Sequence, residues 1–116
     1  MGSVGVLMDL GSEDPTQPNC FNGLTPAAVV GLPMPSAGTL KNLTVASNSA
    51  ASYQVTVQVY VNGVASSIGC TFVAGAGCAD NANTAAVNAG DRVAVQLSNT
   101  NLLPGALAVH ASLEKQ

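Results

Sequence analysis

Tyr53-Gln54-Val55-Thr56-Val57-Gln58-Val59-Tyr60-Val61-Asn62-Gly63 is the stretch that decides the fold. Strict alternation sends Val55, Val57, Val59 and Val61 to one face of a strand and Gln54, Thr56, Gln58, Tyr60 and Asn62 to the other. A strand with one apolar and one polar face, ended by Asn-Gly, belongs to an antiparallel sheet that covers a core from one side.

On the N-terminal side of this strand, the sequence predicts a short strand over Gly5 to Leu10 and a surface loop over Gly11 to Cys20, where Pro, Gly and Asn forbid regular structure. Thr25 to Leu32 is expected to be extended, and Pro33-Met34-Pro35 to serve as an edge or connector. Gly38 to Ser47 reads as a strand whose apolar positions Leu40, Leu43 and Val45 are unevenly spaced, the mark of a bulge or twist. Asn48-Ser49-Ala50 is the expected turn into the valine strand.

On the C-terminal side, strands are expected over Ala65 to Ile68, Cys70 to Val73, Thr84 to Val87 and Arg92 to Ser98, and through Leu107, Val109, Ala111 and Leu113. Ala74 to Gly77, Asp80 to Asn83, Asn88 to Asp91 and Asn99 to Gly105 separate them, with Gly90 supplying a positive φ in its turn. About eight short strands with turn signals every ~8–12 residues and no helical period predict an all-β antiparallel sandwich or jelly roll.

The 116 residues fit one domain. Residues 1–33 are expected to form an N-terminal arm and loop suited to tethering. Three basic residues, Lys41, Arg92 and Lys115, cannot build a phosphate-tracking stripe, and two Phe and two Tyr offer little base stacking, so nucleic acid is not an expected partner. Nor is a membrane, since no apolar run approaches the ~20 residues of a spanning helix. Met1 to Asp9 lacks the basic n-region and apolar length of a secretory signal, so synthesis without Sec export is expected if this is the natural start.

Chemistry-bearing residues are sparse. His110 is the lone histidine, on a strand face with Ala108 and Ser112, and a nucleophilic relay needs a hydroxyl and a carboxylate placed around it. Glu13-Asp14 is the sole adjacent carboxylate pair, and Asp-Pro there more simply starts a turn. No catalytic residue, metal site or cofactor is expected. Cys70 and Cys78 flank a turn and read equally as a hairpin disulfide or as two buried thiols. Cys20 is left over, as a cross-linking thiol or a small buried hydrophobe. Asn42-Leu43-Thr44 fits a glycosylation sequon, a pattern short enough to arise by chance.

Three blocks, Met34-Pro35-Ser36-Ala37-Gly38-Thr39-Leu40-Lys41-Asn42-Leu43-Thr44-Val45, Val57-Gln58-Val59-Tyr60-Val61-Asn62-Gly63 and Asn88-Ala89-Gly90-Asp91-Arg92-Val93-Ala94-Val95, resemble in content and order the C-terminal domains of bacterial and phage collagen-like proteins. The resemblance runs from about position 34 to Glu114, without a Gly-X-Y repeat in the chain. It implies a C1q/TNF-like jelly roll, a homotrimer, and a place among exosporium proteins, phage fibres or capsid decorations.

Low charge with many Ala, Ser, Thr, Asn and Gln points independently to self-association, because such a surface is poorly defended against it. The candidate subunit interface is the row Gln54, Thr56, Gln58 and Tyr60 or the row Ala108, His110 and Ser112, each with a plain solvated face as its alternative. The expected function is a non-enzymatic virion-surface protein, a capsid decoration or head-fibre subunit. Its arm, with Asp9, Glu13, Asp14, Cys20 and Phe21, would contact a major capsid protein or another surface lattice. The alternatives are a spore, exosporium or appendage surface protein and, third, a glycan-binding module, which lacks a Trp platform.

Overall fold

The valine strand lies at the centre of one of two facing sheets in the computed structural model, which describes residues 6–9, 20–21, 30–47, 54–73, 77–99 and 109–116. In chain order the strands are β1 (Val6–Asp9), β2 (Cys20–Phe21), β3 (Leu32–Pro33), β4 (Gly38–Ser47) and β5 (Gln54–Val61), followed by β6 (Val64–Val73), β7 (Cys78–Asp80), β8 (Ala85–Val87), β9 (Arg92–Asn99) and β10 (Val109–Lys115). The first sheet runs β1-β10-β4-β7, with β8 also on β4. The second runs β2-β9-β5-β6, with β3 also on β9. All pairings are antiparallel except the two-residue β2–β9 pair, which is parallel. Together they form an all-β sandwich.

Val55, Val57 and Val59 are fully buried, and so are Leu40, Leu43 and Leu113 from the opposite sheet. Each such side chain contributes about 1.5–3 kcal/mol by leaving water. Asn62 and Gly63 both have positive φ, 52° and 79°, and join β5 to β6 with Val61 paired to Val64. A two-residue loop with both residues left-handed is a type I′ turn, whose twist suits a hairpin.

The uneven spacing in β4 resolves as a bulge. Lys41 pairs with Glu114 and Thr44 with Ser112, so Asn42 and Leu43 together face Leu113. Asn42 absorbs the extra residue at φ 55°. Without it, strict alternation would send Leu40 and Leu43 to opposite faces; with it both are buried. The Asn42 amide donates to Glu114 Oε2 at 2.9 Å, fixing the bulge across the strands.

Several expectations are corrected. Ala65–Ile68 and Cys70–Val73 belong to one strand, β6, with Ser66, Ser67 and Ile68 together opposite Val59. This bulge turns Ile68 fully into the core. Cys70 and Cys78 do not flank a hairpin, because β6 lies in the second sheet and β7 in the first. Within residues 1–33, β1 falls inside the strand expected over Gly5 to Leu10 and pairs with β10, β3 lies along β9, and Cys20, expected at the end of a loop, instead pairs with β9 as part of β2. The expected Gly11–Cys20 loop lies outside the described residues except for Cys20, as do residues 25–29 of the expected Thr25–Leu32 strand and the turns at Asn48–Ala50 and Asn99–Gly105, save Asn99 itself.

If Asn42 is needed for its left-handed backbone, Asn42→Val will lower stability by about 1–2 kcal/mol more than Asn42→Gly, since both lose the amide contact and the β-branched residue alone resists that φ. Urea unfolding of the two variants measures the difference. Equal stabilities would mean that the bulge does not depend on this residue.

Candidate functional site, a polar sheet face and its clamped edge

The outer face of the second sheet carries Gln54, Thr56, Gln58 and Tyr60 from β5. Alternation against buried Val93, Val95 and Leu97 adds Ala94, Gln96 and Ser98 from β9. Thr56 stands between Ser98 and Thr71, Gln58 between Gln96 and Gly69, and Tyr60 between Ala94 and Ala65. The same alternation puts exposed Arg92, the first residue of β9, at the end of this face, and it is the one charged residue in the five strands of this sheet.

Much of the polar chemistry of this face is turned back on the protein. The Thr56 and Thr71 hydroxyls share a hydrogen bond at 3.0 Å, and the Tyr60 hydroxyl donates to Gln96 Oε1 at 3.0 Å. Gln58 Nε2 donates to Ser66 O at 2.7 Å and to Ile68 O at 2.9 Å, and Ser66 Oγ donates to Val59 O at 2.8 Å. Gln58 is therefore a bulge-filling residue first, because it satisfies carbonyls that the bulge removes from the ladder. What remains is a close-knit surface that is uncharged apart from Arg92 at its end.

The second candidate row is on the first sheet. Ala108 lies outside the described residues, His110 is exposed opposite Ala46, and Ser112 lies between Thr44 and Asp9. The carboxylate of Glu114, on the same strand as His110, accepts the Asn42 amide. Among the described residues no group of three or more His, Cys, Asp or Glu side chains could hold a metal ion, and no helix could cross a membrane. Of the residues assigned to lattice contact, Asp9 is on β1 and Cys20 and Phe21 are on β2, whereas Glu13 and Asp14 lie outside the described residues. The candidates among the described residues are thus distributed over both sheets.

Beside the polar face, β6 is clamped to β7 of the opposite sheet. Cys70 and Cys78 form a disulfide with their Cα atoms 6.0 Å apart. The chain returns through Gly77 at φ 77°, where a Cβ would collide with Val45 O, so only glycine fits this approach to β4. A second clamp, not foreseen in the sequence, is Asp80, which is 7% exposed. Its Oδ2 accepts from Gly69 N at 3.0 Å and from Asn83 Nδ2 at 2.9 Å, and its Oδ1 accepts from the Ala82 and Asn83 amides, each at 3.1 Å. These bonds, led by the Asn83 side chain and the Gly69 amide, outweigh burial and hold its carboxyl at a pKa of about 2. The Asp-x-x-Asn spacing signals the turn but not the reach across to β6.

Lys115 was also missed. It continues the inward phase of Ala111 and Leu113, is 6% exposed, and its Nζ donates to Ser36 O at 3.0 Å and to Ser36 Oγ. Its stem packs in the sandwich end while the ammonium reaches the bend before β4. No family model, curated protein or solved structure matches the chain.

Asp80 is lowered in the folded state, so its contribution is complete above the unfolded carboxyl value of 3.8 and is lost as pH falls toward 2. Urea midpoints should show wild type losing about 2 kcal/mol more than Asp80→Asn across that interval. Parallel pH profiles would remove Asp80 from the account. Replacing both Cys70 and Cys78 by Ser should cost about 2–3 kcal/mol, read from the same titration at constant pH.

Proposed function

We propose that this chain is a non-enzymatic structural subunit of a virion surface, a capsid decoration or head-fibre protein that works as a homotrimer on a lattice such as that of a major capsid protein. The observation that carries this reading is the second sheet's outer face, which is uncharged apart from Arg92 at its end and partly hydrogen-bonded within itself. Burying the part around Thr56, Gln58, Gln96 and Ser98, away from Arg92, removes no charge from water and strands few polar atoms, so the desolvation cost of association is low. Its action is mechanical: contacts made only by folded, assembled subunits stabilise the shell by mass action.

A jelly roll of the C1q/TNF type is part of the same proposal. It is supported by the chain path, which changes sheets at every connection except β2–β3, β5–β6 and β7–β8, and which draws strands from both ends of the chain into each sheet. Because β1 pairs with β10, lattice contact is better tested by substituting Asp9 and Phe21 than by deleting the N-terminus.

A cross-linked spore or appendage protein remains the second reading for one reason. The Cys70–Cys78 disulfide leaves Cys20 with no other cysteine in the chain to pair with.

Light scattering of the purified chain is the test. A reductant-insensitive trimer is expected, and lysines at Thr56 and Ser98 should weaken it by at least about 100-fold, since like charges would be forced together without solvent. A monomeric wild type would sink the proposal and favour a ligand-binding module. Assemblies dissolved by reductant would favour the cross-linked reading. A trimer indifferent to both lysines would move the interface to another face.

A further inference from the structure

Asn62-Gly63 turns the chain at one end of the sandwich, and its side chain does more than adopt a turn. Asn62 N donates to Arg92 O at 2.7 Å, Arg92 N donates to Asn62 Oδ1 at 2.9 Å, and Asn62 Nδ2 donates to Asp91 Oδ1 at 3.1 Å. Asp91 Oδ2 in turn accepts from Asn88 N at 2.8 Å, and Asp91 N donates to Asn88 O at 3.1 Å. Both ends of the Asn62 carboxamide are thereby held on the turn before β9, while the residue itself is exposed.

An asparagine followed by glycine is the dipeptide in which this carboxamide is most open to its own backbone, because glycine places no Cβ beside the attacking nitrogen. The Gly63 nitrogen attacks Asn62 Cγ, the new C–N bond closes a five-membered imide, and the side-chain nitrogen leaves as ammonia. Water then opens the imide to aspartate or isoaspartate. The net change is amide plus water to acid plus ammonia, with no oxidant or reductant.

We propose that Asn62 is a deamidation site whose reaction is held back by Asp91 and Arg92, and whose acidic product unfastens the β5–β6 turn from the start of β9. Restraint follows from geometry: to reach the Gly63 nitrogen, Cγ must give up hydrogen bonds to a carboxylate and to a backbone amide. Release follows from charge. The atom that now donates to Asp91 Oδ1 at 3.1 Å becomes a carboxylate oxygen with nothing to donate, and a contact between opposite partial charges becomes one between like charges. The Asn88 amide, which donates to Asp91 Oδ2, is untouched by the reaction and continues to favour the ionised form of Asp91. The reaction runs one way in water, which makes the site a timer that adds a negative charge and loosens one end of the molecule. It is independent of the virion reading.

The test follows amide-to-acid conversion at Asn62 by peptide mass spectrometry during incubation of the intact chain in near-neutral buffer. Conversion in Asp91→Ala should be at least about tenfold faster than in wild type, the factor that one hydrogen bond to a charged group is worth. Equal rates would overturn the restraint. The product is tested without waiting for it: Asn62→Asp should unfold at lower urea than wild type, and Asp91→Asn added to it should recover the loss by removing one of the two facing charges. An Asn62→Asp chain as stable as wild type, or one that Asp91→Asn fails to restore, would overturn the release. This second pair keeps the proposal falsifiable if Asp91→Ala does not fold.

Discussion

Burial of the Val55-Val57-Val59 face is the constraint on which the rest of the structure depends. β5 is flanked on both sides, by β9 and by β6, so its backbone is consumed by two ladders and its side chains can face only the core or the outer surface. A one-residue slip would bring Gln54, Thr56 and Gln58 into the core, at the cost of burying polar groups without partners. Both neighbouring registers are therefore locked by the same three valines. The opposite sheet answers with Leu40, Leu43 and Leu113, also fully buried.

The bulges are consequences of that demand. In β4 the core requires two leucines three residues apart, and a left-handed Asn42 supplies the extra residue that makes this consistent with a pleated strand. In β6 the core requires Ile68, and the strand gives up ladder bonds around Ser66 to deliver it. The polar row of β5 then has a structural duty: Gln58 bonds the carbonyls released by the bulge. A residue that looks like free surface in an alternating pattern is thus partly committed inward. Part of the hydrogen-bonding capacity that a count of Gln, Thr and Tyr implies for this face is spent within the protein.

Much of the scaffold was legible before any coordinates. The valine strand, β4 with its irregular spacing, β9, the Asn62-Gly63 hairpin and the one-sided polarity all follow from alternation and turn chemistry. Asp80 and Lys115 were not legible, for a shared reason. Each is a charged residue whose role is set by a partner remote in the chain or in the other sheet: Gly69 on β6 for Asp80 and Ser36 for Lys115. Local pattern assigns charge to the surface by default, and only a specific long-range donor or acceptor justifies burying it. The cysteine pair shows the same limit. Spacing placed Cys70 and Cys78 near one another, but the connection between them crosses from one sheet to the other instead of turning back within one.

The sequence by itself determined the class of the molecule: where the longer strands lie, which face of each is apolar, where the chain turns, and that charged residues are scarce. Those properties are periodic or local, and a residue's neighbours within a few positions suffice to set them. Tertiary structure alone decided which strands share a sheet, that β1 pairs with β10 from the far end of the chain, and how Asp80, Lys115 and Asn62 are used. Strand pairing joins residues far apart in the chain, and hydrogen bonds depend on distances of a few ångströms that no spacing along a sequence encodes.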